Sequence, residues 1–275
     1  MLTQKLRVWY FASANNMYKG KTVQSKLQAM LLSVVLVAGS ASALDLNKLV
    51  GSKDTVDSAV KAATFSDADA RAMADAACQE SDLGNRIASD KSKYGKRLAV
   101  ISKKMGNEIN GIPVNYKVYE TNEVNAWAMA NGCIRVYSGL MDMMTDDEVI
   151  GVLGHEMGHV ALGHTKKAYQ MAYATAAARS AAGTFGNKNI QELSKSDLGL
   201  LTENLINAQF SQSQELDADN FSFDLLTKKN LNREALASAF RKLEKLSGND
   251  HSLMSSHPAS ADRAKNVETR IASGK

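Results

Sequence analysis

The chain lacks any apolar stretch of the roughly 20 residues that cross a bilayer; its longest, Met30 to Ala38, is about half that length. A protein embedded in the membrane by such spans is therefore not expected. Cysteine is scarce as well, with only Cys78 and Cys133 among 275 residues. Residues 1–43 contain no acid at all, yet carry Lys5, Arg7, Lys19, Lys21 and Lys26. The formal charge of +4 belongs to that segment, because the remainder holds 28 basic against 29 acidic side chains. Such a body gives no electrostatic reason to expect nucleic acid as a partner. There is no internal repeat and no low-complexity segment, and 44% hydrophobic content is ample for one packed domain.

The acid-free segment reads as an export signal. A basic region precedes the apolar run MLLSVVLVA, and Ala41-Ser42-Ala43 then supplies the small-x-small pattern cut by signal peptidase, with cleavage expected after Ala43. Met17 makes a more ordinary start, so residues 1–16 read as an upstream extension. No cysteine lies near the cut, so lipid attachment is not expected. The expected location is the periplasm, without a transmembrane span once the signal is removed. In that oxidising compartment an even cysteine count favours a Cys78–Cys133 disulfide over two buried thiols. Residues 44–64 read as a loosely ordered lead-in, and residues 65–275 as the functional domain.

Within that domain the pattern is α+β and predominantly helical. Ser66 with Asp69 resembles a capping box and opens a helix to about Gln79; Lys91 to Met105 forms a second helix that ends at Gly106. Val114 to Glu120 and Ile134 to Leu140 read as strands, with NAWAMA, Asn125 to Ala130, as a third between them. On that third strand Trp127 and Met129 share one side and alanines the other, leaving room for a ligand or for a closely packed helix. Asn131-Gly132 signals a turn. From Thr145 onward the pattern is almost wholly helical: the segment opened by the Thr145 cap, then Lys166–Ala182, Ser196–Lys229, Asn232–Ser247 and Ala259–Ser273, with a break at Gly183–Asn189.

The stretch VIGVLGHEMGHVALGHT, Val149 to Thr165, contains His155, Glu156 and His159 in the spacing H-E-x-x-H. On a helix the two imidazoles share one face and can share a metal, with the Glu156 carboxylate beside them, the layout of a zinc hydrolase. Such a site generally takes a third protein ligand. His164 lies nine residues from His155, roughly 900° on a continuous helix, and so falls on the opposite face. Glu215 in FSQSQELDADNF is the better third ligand. Asp219, four residues on, shares its face and can orient a ligating histidine. Read alone, that E-x-x-x-D is a solvated acidic face; read after H-E-x-x-H, it is the downstream glutamate helix of a gluzincin.

Taken together, VNAWAMANGCIRVYSGLMDMMTDDEV, VIGVLGHEMGHVALGH, QFSQSQELDADNFSFDLL and SSHPASADRA resemble the Ste24/HtpX/Oma1-type zinc metallopeptidases (peptidase family M48), and among them the exported bacterial LoiP/YggG branch. The resemblance implies a gluzincin-type domain whose small sheet lies with its edge strand beside the H-E-x-x-H helix. It implies one zinc on His155, His159 and Glu215, Glu156 as catalytic base, and Asp219 holding a ligand. It further implies a substrate-facing strand at Asn125, Ala126, Trp127 and Ala128, and His257 approaching from the C-terminal side. Pro258 independently favours an extended corner at His257, from which an imidazole can donate to an oxyanion. Arg263 matches the same block and reads as one half of an ion pair. Substrates would be unfolded or extended polypeptides, in envelope protein quality control, with possible envelope assembly or protease partners. The alternative is an envelope chaperone or assembly factor whose metal is mainly structural.

Overall fold

The computed structural model describes residues 64–180, 202, 203, 206, 209–246, 253, 257 and 261–274. The export signal over 1–43, most of the lead-in, the break at 183–189 and the helix start at 196 lie outside the described residues. Helices dominate, with two small sheets, so the α+β expectation holds.

Helix α1, Asp67–Gly84, opens on the Ser66–Asp69 capping box, both halves of which form, and it runs one turn beyond Gln79. Helix α2, Lys93–Met105, is capped by the Ser92 hydroxyl and stops at Gly106, whose φ of +92° favours glycine. A two-residue hairpin follows, β1 (Glu108–Ile109) against β2 (Ile112–Pro113). The main sheet contains β3 (Asn115–Tyr119), β4 (Ala126–Ala128) and β5 (Cys133–Tyr137) in the order β3-β5-β4. β3 runs parallel to β5 and β4 antiparallel to it, the latter pair joined through Gly132 at φ +82°. The last strand is shorter than its β-branched sequence suggests. Ser138 hydrogen-bonds Thr121 through its hydroxyl and opens a short helix, α3 (Ser138–Met143).

Two faces of β4 answer the question its composition leaves open. Ala126 and Ala128 belong to the main core with Leu140, Ile150, Leu153 and Met157, so the small face is filled by a helix rather than kept free for a ligand. Trp127 and Met129 point the other way, into a second cluster with Met73 and Ala77 of α1. That helix is tied to the sheet by the Cys78–Cys133 disulfide, which closes a loop of 55 residues. Replacing both cysteines by serine is expected to cost about 2–4 kcal/mol and to lower the melting temperature in thermal unfolding; an unchanged midpoint would refute a stabilising bond. Beside the disulfide, Arg135 of β5 is fully buried and grips Asp82 through two nitrogens at 2.8 and 2.9 Å. Burial alone would raise the Asp82 carboxyl, but hydrogen bonds from Arg135, Lys117 and Tyr119 bring it down to about 2.

Helix α4, Asp146–Ala161, carries the motif and begins with a complete Thr145–Glu148 capping box. After α5 (His164–Ser180), the helix bearing Glu215, α6 (Gln212–Lys228), opens on a Ser211–Gln214 capping box. Residues 209–211 are not helical, so the run expected from Ser196 is not one helix. Helices α7 (Glu234–Glu244) and α8 (Ala261–Ala272) complete the described chain.

Glycines on α4 set how closely α6 approaches. A Cβ at Gly158 would stand 3.0 Å from both Cα and O of Ala218, and one at Gly154 only 2.6 Å from Ser222 Oγ. The Ser222 hydroxyl donates to the Gly151 carbonyl at 2.8 Å across the same seam. This tight crossing delivers the acidic face of α6 to the histidine face of α4. Gly158→Ala is expected to destabilise by about 1–3 kcal/mol, because the added methyl meets backbone rather than a yielding side chain. Thermal unfolding checks it; a stabilised variant would mean that helix propensity, about 1 kcal/mol in favour of alanine, outweighs the clash.

Candidate metal centre

The H-E-x-x-H spacing on α4 brings His155 and His159 to one face, with their Nε2 atoms 3.0 Å apart. Glu215 arrives from the first turn of α6, with Oε2 at 3.6 Å from His155 Nε2 and Oε1 at 3.4 Å from His159 Nε2. His257 enters between them, with Nδ1 at 3.0 Å from Glu215 Oε1 and Nε2 at 3.4 Å from Glu156 Oε1. One ligand atom from each of His155, His159, Glu215 and His257 falls within a 4.8 Å group, and all four residues are buried. Asp219 is wholly buried and lies 2.8 Å from His155 Nδ1.

The donor set fits a divalent metal. Asp219 occupies the His155 Nδ1–H, which leaves Nε2 with a lone pair facing inward. His159 Nδ1 lies 3.1 Å from His164 Nδ1, a contact in which either ring nitrogen can be the donor. Burial lowers both imidazoles, His155 well below the usual value and His159 to about 4, which favours the neutral form, the one that binds metal. Burial opposes ionisation of Glu215, but hydrogen bonds to His159 and His257 hold its carboxyl well below the ordinary range. Two neutral nitrogens and a carboxylate meeting out of water suit zinc, though not zinc uniquely.

Glu156 is a different kind of group. It is 3% exposed, and its Oε1 has no hydrogen-bond partner among the described residues. Burial pushes its carboxyl up to about 7, with the His257 imidazole pulling the other way. A carboxyl in that range can both take and return a proton near neutral pH. His257 is shifted upward, because Glu156 and Glu215 outweigh the effect of its burial.

Two residues carry more here than their sequence context indicates. Arg263 of α8 donates to both Asp219 oxygens at 2.8 and 2.6 Å, reaches Glu215 Oε2 at 2.8 Å, and lies over the Phe240 ring at 4.2 Å. It links the two carboxylates of α6. His164 is not on the opposite face of a continuous helix. Helix α4 stops at Ala161, Gly163 turns at φ +73°, and the chain restarts at His164 with the ring against His159. Helical projection fails there because the helix has already ended. The glycine at position 163 is the signal that identifies the break.

β4 is an edge of the three-stranded sheet among the described residues. Asn125 and Met129 bond β5 through their backbones, so the alternate residues Ala126 and Ala128 turn their N–H and C=O outward. The Ala126 N–H is already taken by the Asn125 side chain at 2.8 Å, which makes Ala128 the open backbone position. Asn125, Ala126, Trp127 and Ala128 are all buried as whole residues.

Residues 92–271 match the model for peptidase family M48. Among curated proteins the chain is 52% identical to Metalloprotease YcaL of Escherichia coli (strain K12), over 90% of this chain and 98% of that one. It is 50% identical to Metalloprotease LoiP of the same organism, over 90% and 97%. A more distant relative, Mitochondrial metalloendopeptidase OMA1 of Arabidopsis thaliana, is 26% identical over 55% of this chain and 31% of its own length.

Proposed function

Because the chain belongs to peptidase family M48 and is a metalloendopeptidase, we propose that it hydrolyses extended polypeptide at a zinc site held by His155, His159 and Glu215, with Glu156 as general base. The observation that carries this reading is the buried Glu156 oxygen, hydrogen-bonded to no described residue, beside the converging side chains of His155, His159 and Glu215. A zinc ion bound there supplies Lewis acidity, polarising the scissile carbonyl and making water acidic enough to lose a proton near pH 7.

The chain's own groups do the rest. Substrate backbone aligns along the open edge at Ala128, a mode that selects extended segments rather than a sequence motif. Glu156 Oε1 takes the proton of the attacking water and then passes it to the leaving amine. His257 donates a hydrogen bond to the oxyanion as the carbonyl becomes tetrahedral. Asp219 fixes the His155 tautomer, and Arg263 holds Asp219 and Glu215 in place.

The export-signal pattern over residues 1–43 supports a periplasmic setting, with unfolded or damaged envelope proteins as the substrates. A chaperone with a structural metal has no use for an unliganded, buried Glu156. Incubation with unfolded casein, with and without a chelator, separates the two readings. Cleavage abolished by the chelator is the expected result, and chelator-insensitive binding without cleavage overturns the proposal.

A further inference from the structure

His164 stands beside the candidate metal centre, and the reaction above gives it no task. It is 7% exposed and opens α5 directly after the Gly163 turn. It is not one of the four residues whose ligand atoms converge. Its Nδ1 lies 3.1 Å from His159 Nδ1, the one hydrogen bond of its ring among the described residues. The other nitrogen of His159, Nε2, faces the centre, 3.0 Å from His155 Nε2 and 3.4 Å from Glu215 Oε1. The His159 ring thus meets the ligand group with one nitrogen and His164 with the other.

Ring protons fix the direction of that bond. Two nitrogens at this separation share one proton, which either ring can supply. A neutral imidazole has a single N–H, and a nitrogen that binds metal carries none. With Nε2 of His159 as the ligand, its proton sits on Nδ1 and points at His164. Nδ1 of His164 is then the acceptor, and the proton of that ring is on Nε2. The N-terminal end of α5 favours this neutral ring over an imidazolium. His155 is served differently, by the Asp219 carboxylate at 2.8 Å from its Nδ1.

We propose that His164 is a positioning residue for the metal ligand His159: its Nδ1 accepts the His159 Nδ1–H and so holds the tautomer and ring orientation that present Nε2 to zinc. Partners of this kind raise the basicity of a ligating imidazole as well as aiming it. Phe210, stacked on the His159 ring at 3.9 Å, limits tilting of the ring but has no atom that can fix its tautomer. The third histidine of the motif stretch therefore acts on zinc through the second. The inference rests on zinc binding at His159, and the test separates the two.

Zinc competition against a chromophoric chelator compares the full chain with His164→Leu and His164→Asn. Leucine keeps apolar volume but has no acceptor, whereas asparagine can place Oδ1 where Nδ1 stood. The expected loss of zinc affinity is about 10- to 100-fold in His164→Leu, and His164→Asn recovers most of it. Loss of packing alone would weaken both variants alike. A second measurement uses the unaltered chain, so it does not depend on either variant folding. With isotope-labelled histidine, ring proton–nitrogen correlation spectra of the zinc-loaded protein show which nitrogens carry protons, and the chain has only five histidines to assign. His159 protonated at Nδ1 and His164 at Nε2 alone is the expected result. A proton on His164 Nδ1, unchanged affinity in His164→Leu, or equal loss in both variants overturns the role and leaves zinc binding standing. An unaltered chain that binds no zinc removes both.

Discussion

Glu156→Gln is expected to lower peptide cleavage by about 10²- to 10⁴-fold while leaving metal content and melting temperature close to those of the parent chain. Glutamine keeps the shape of the side chain and the contacts of its stem in the α4 core, but it cannot accept a proton at the oxygen that faces the site. The carboxyl it replaces is 3% exposed and is pushed up to about 7 by burial, so removing its charge also removes a desolvation cost. A variant that keeps its melting temperature and is nearly inactive is therefore the specific signature of a buried base. Metal analysis, thermal unfolding and casein cleavage on the same preparation check all three parts. Retained cleavage would remove Glu156 from the role.

Arg263→Met is expected to weaken zinc binding by about 10- to 100-fold and to destabilise the metal-free protein by about 3–5 kcal/mol. The guanidinium is the cation that Asp219 and Glu215 share, at 2.6 and 2.8 Å, and all three side chains are buried. Methionine fills similar volume against Phe240 but removes the one cation that Asp219 and Glu215 share. Arg263→Lys keeps the charge and loses the two-pronged grip, so it should fall between the parent chain and the methionine variant. Zinc competition against a chromophoric chelator measures the affinity, and thermal unfolding of the stripped protein measures stability. Parent-like affinity in Arg263→Met would show that the arginine only packs.

Local signals account for much of what the sequence discloses. Capping boxes at Ser66 and Thr145 are two-residue patterns that act at short range, and both form as the residues suggest. His155, His159, Glu215 and Asp219 are legible because helical spacing alone puts each pair on one face. What brings the pairs together is not local: it depends on Gly154 and Gly158 meeting Ser222 and Ala218, a contact that no periodicity discloses. The same limit explains His164, where projecting a continuous helix through Gly163 gives the wrong face. It explains Arg135 too, a charged residue buried in a strand because Asp82 of α1 is there to meet it. The alanine face of β4 was open to two readings, and only the position of α4 decides between them.

On the proposed reading, one metal held by His155, His159 and Glu215 makes this chain a peptidase. Titrating zinc into metal-stripped protein while following casein cleavage tests it most directly. Cleavage absent at the start and rising to a plateau at one zinc per chain is the predicted result; cleavage by the stripped protein, or a plateau at another stoichiometry, would contradict it.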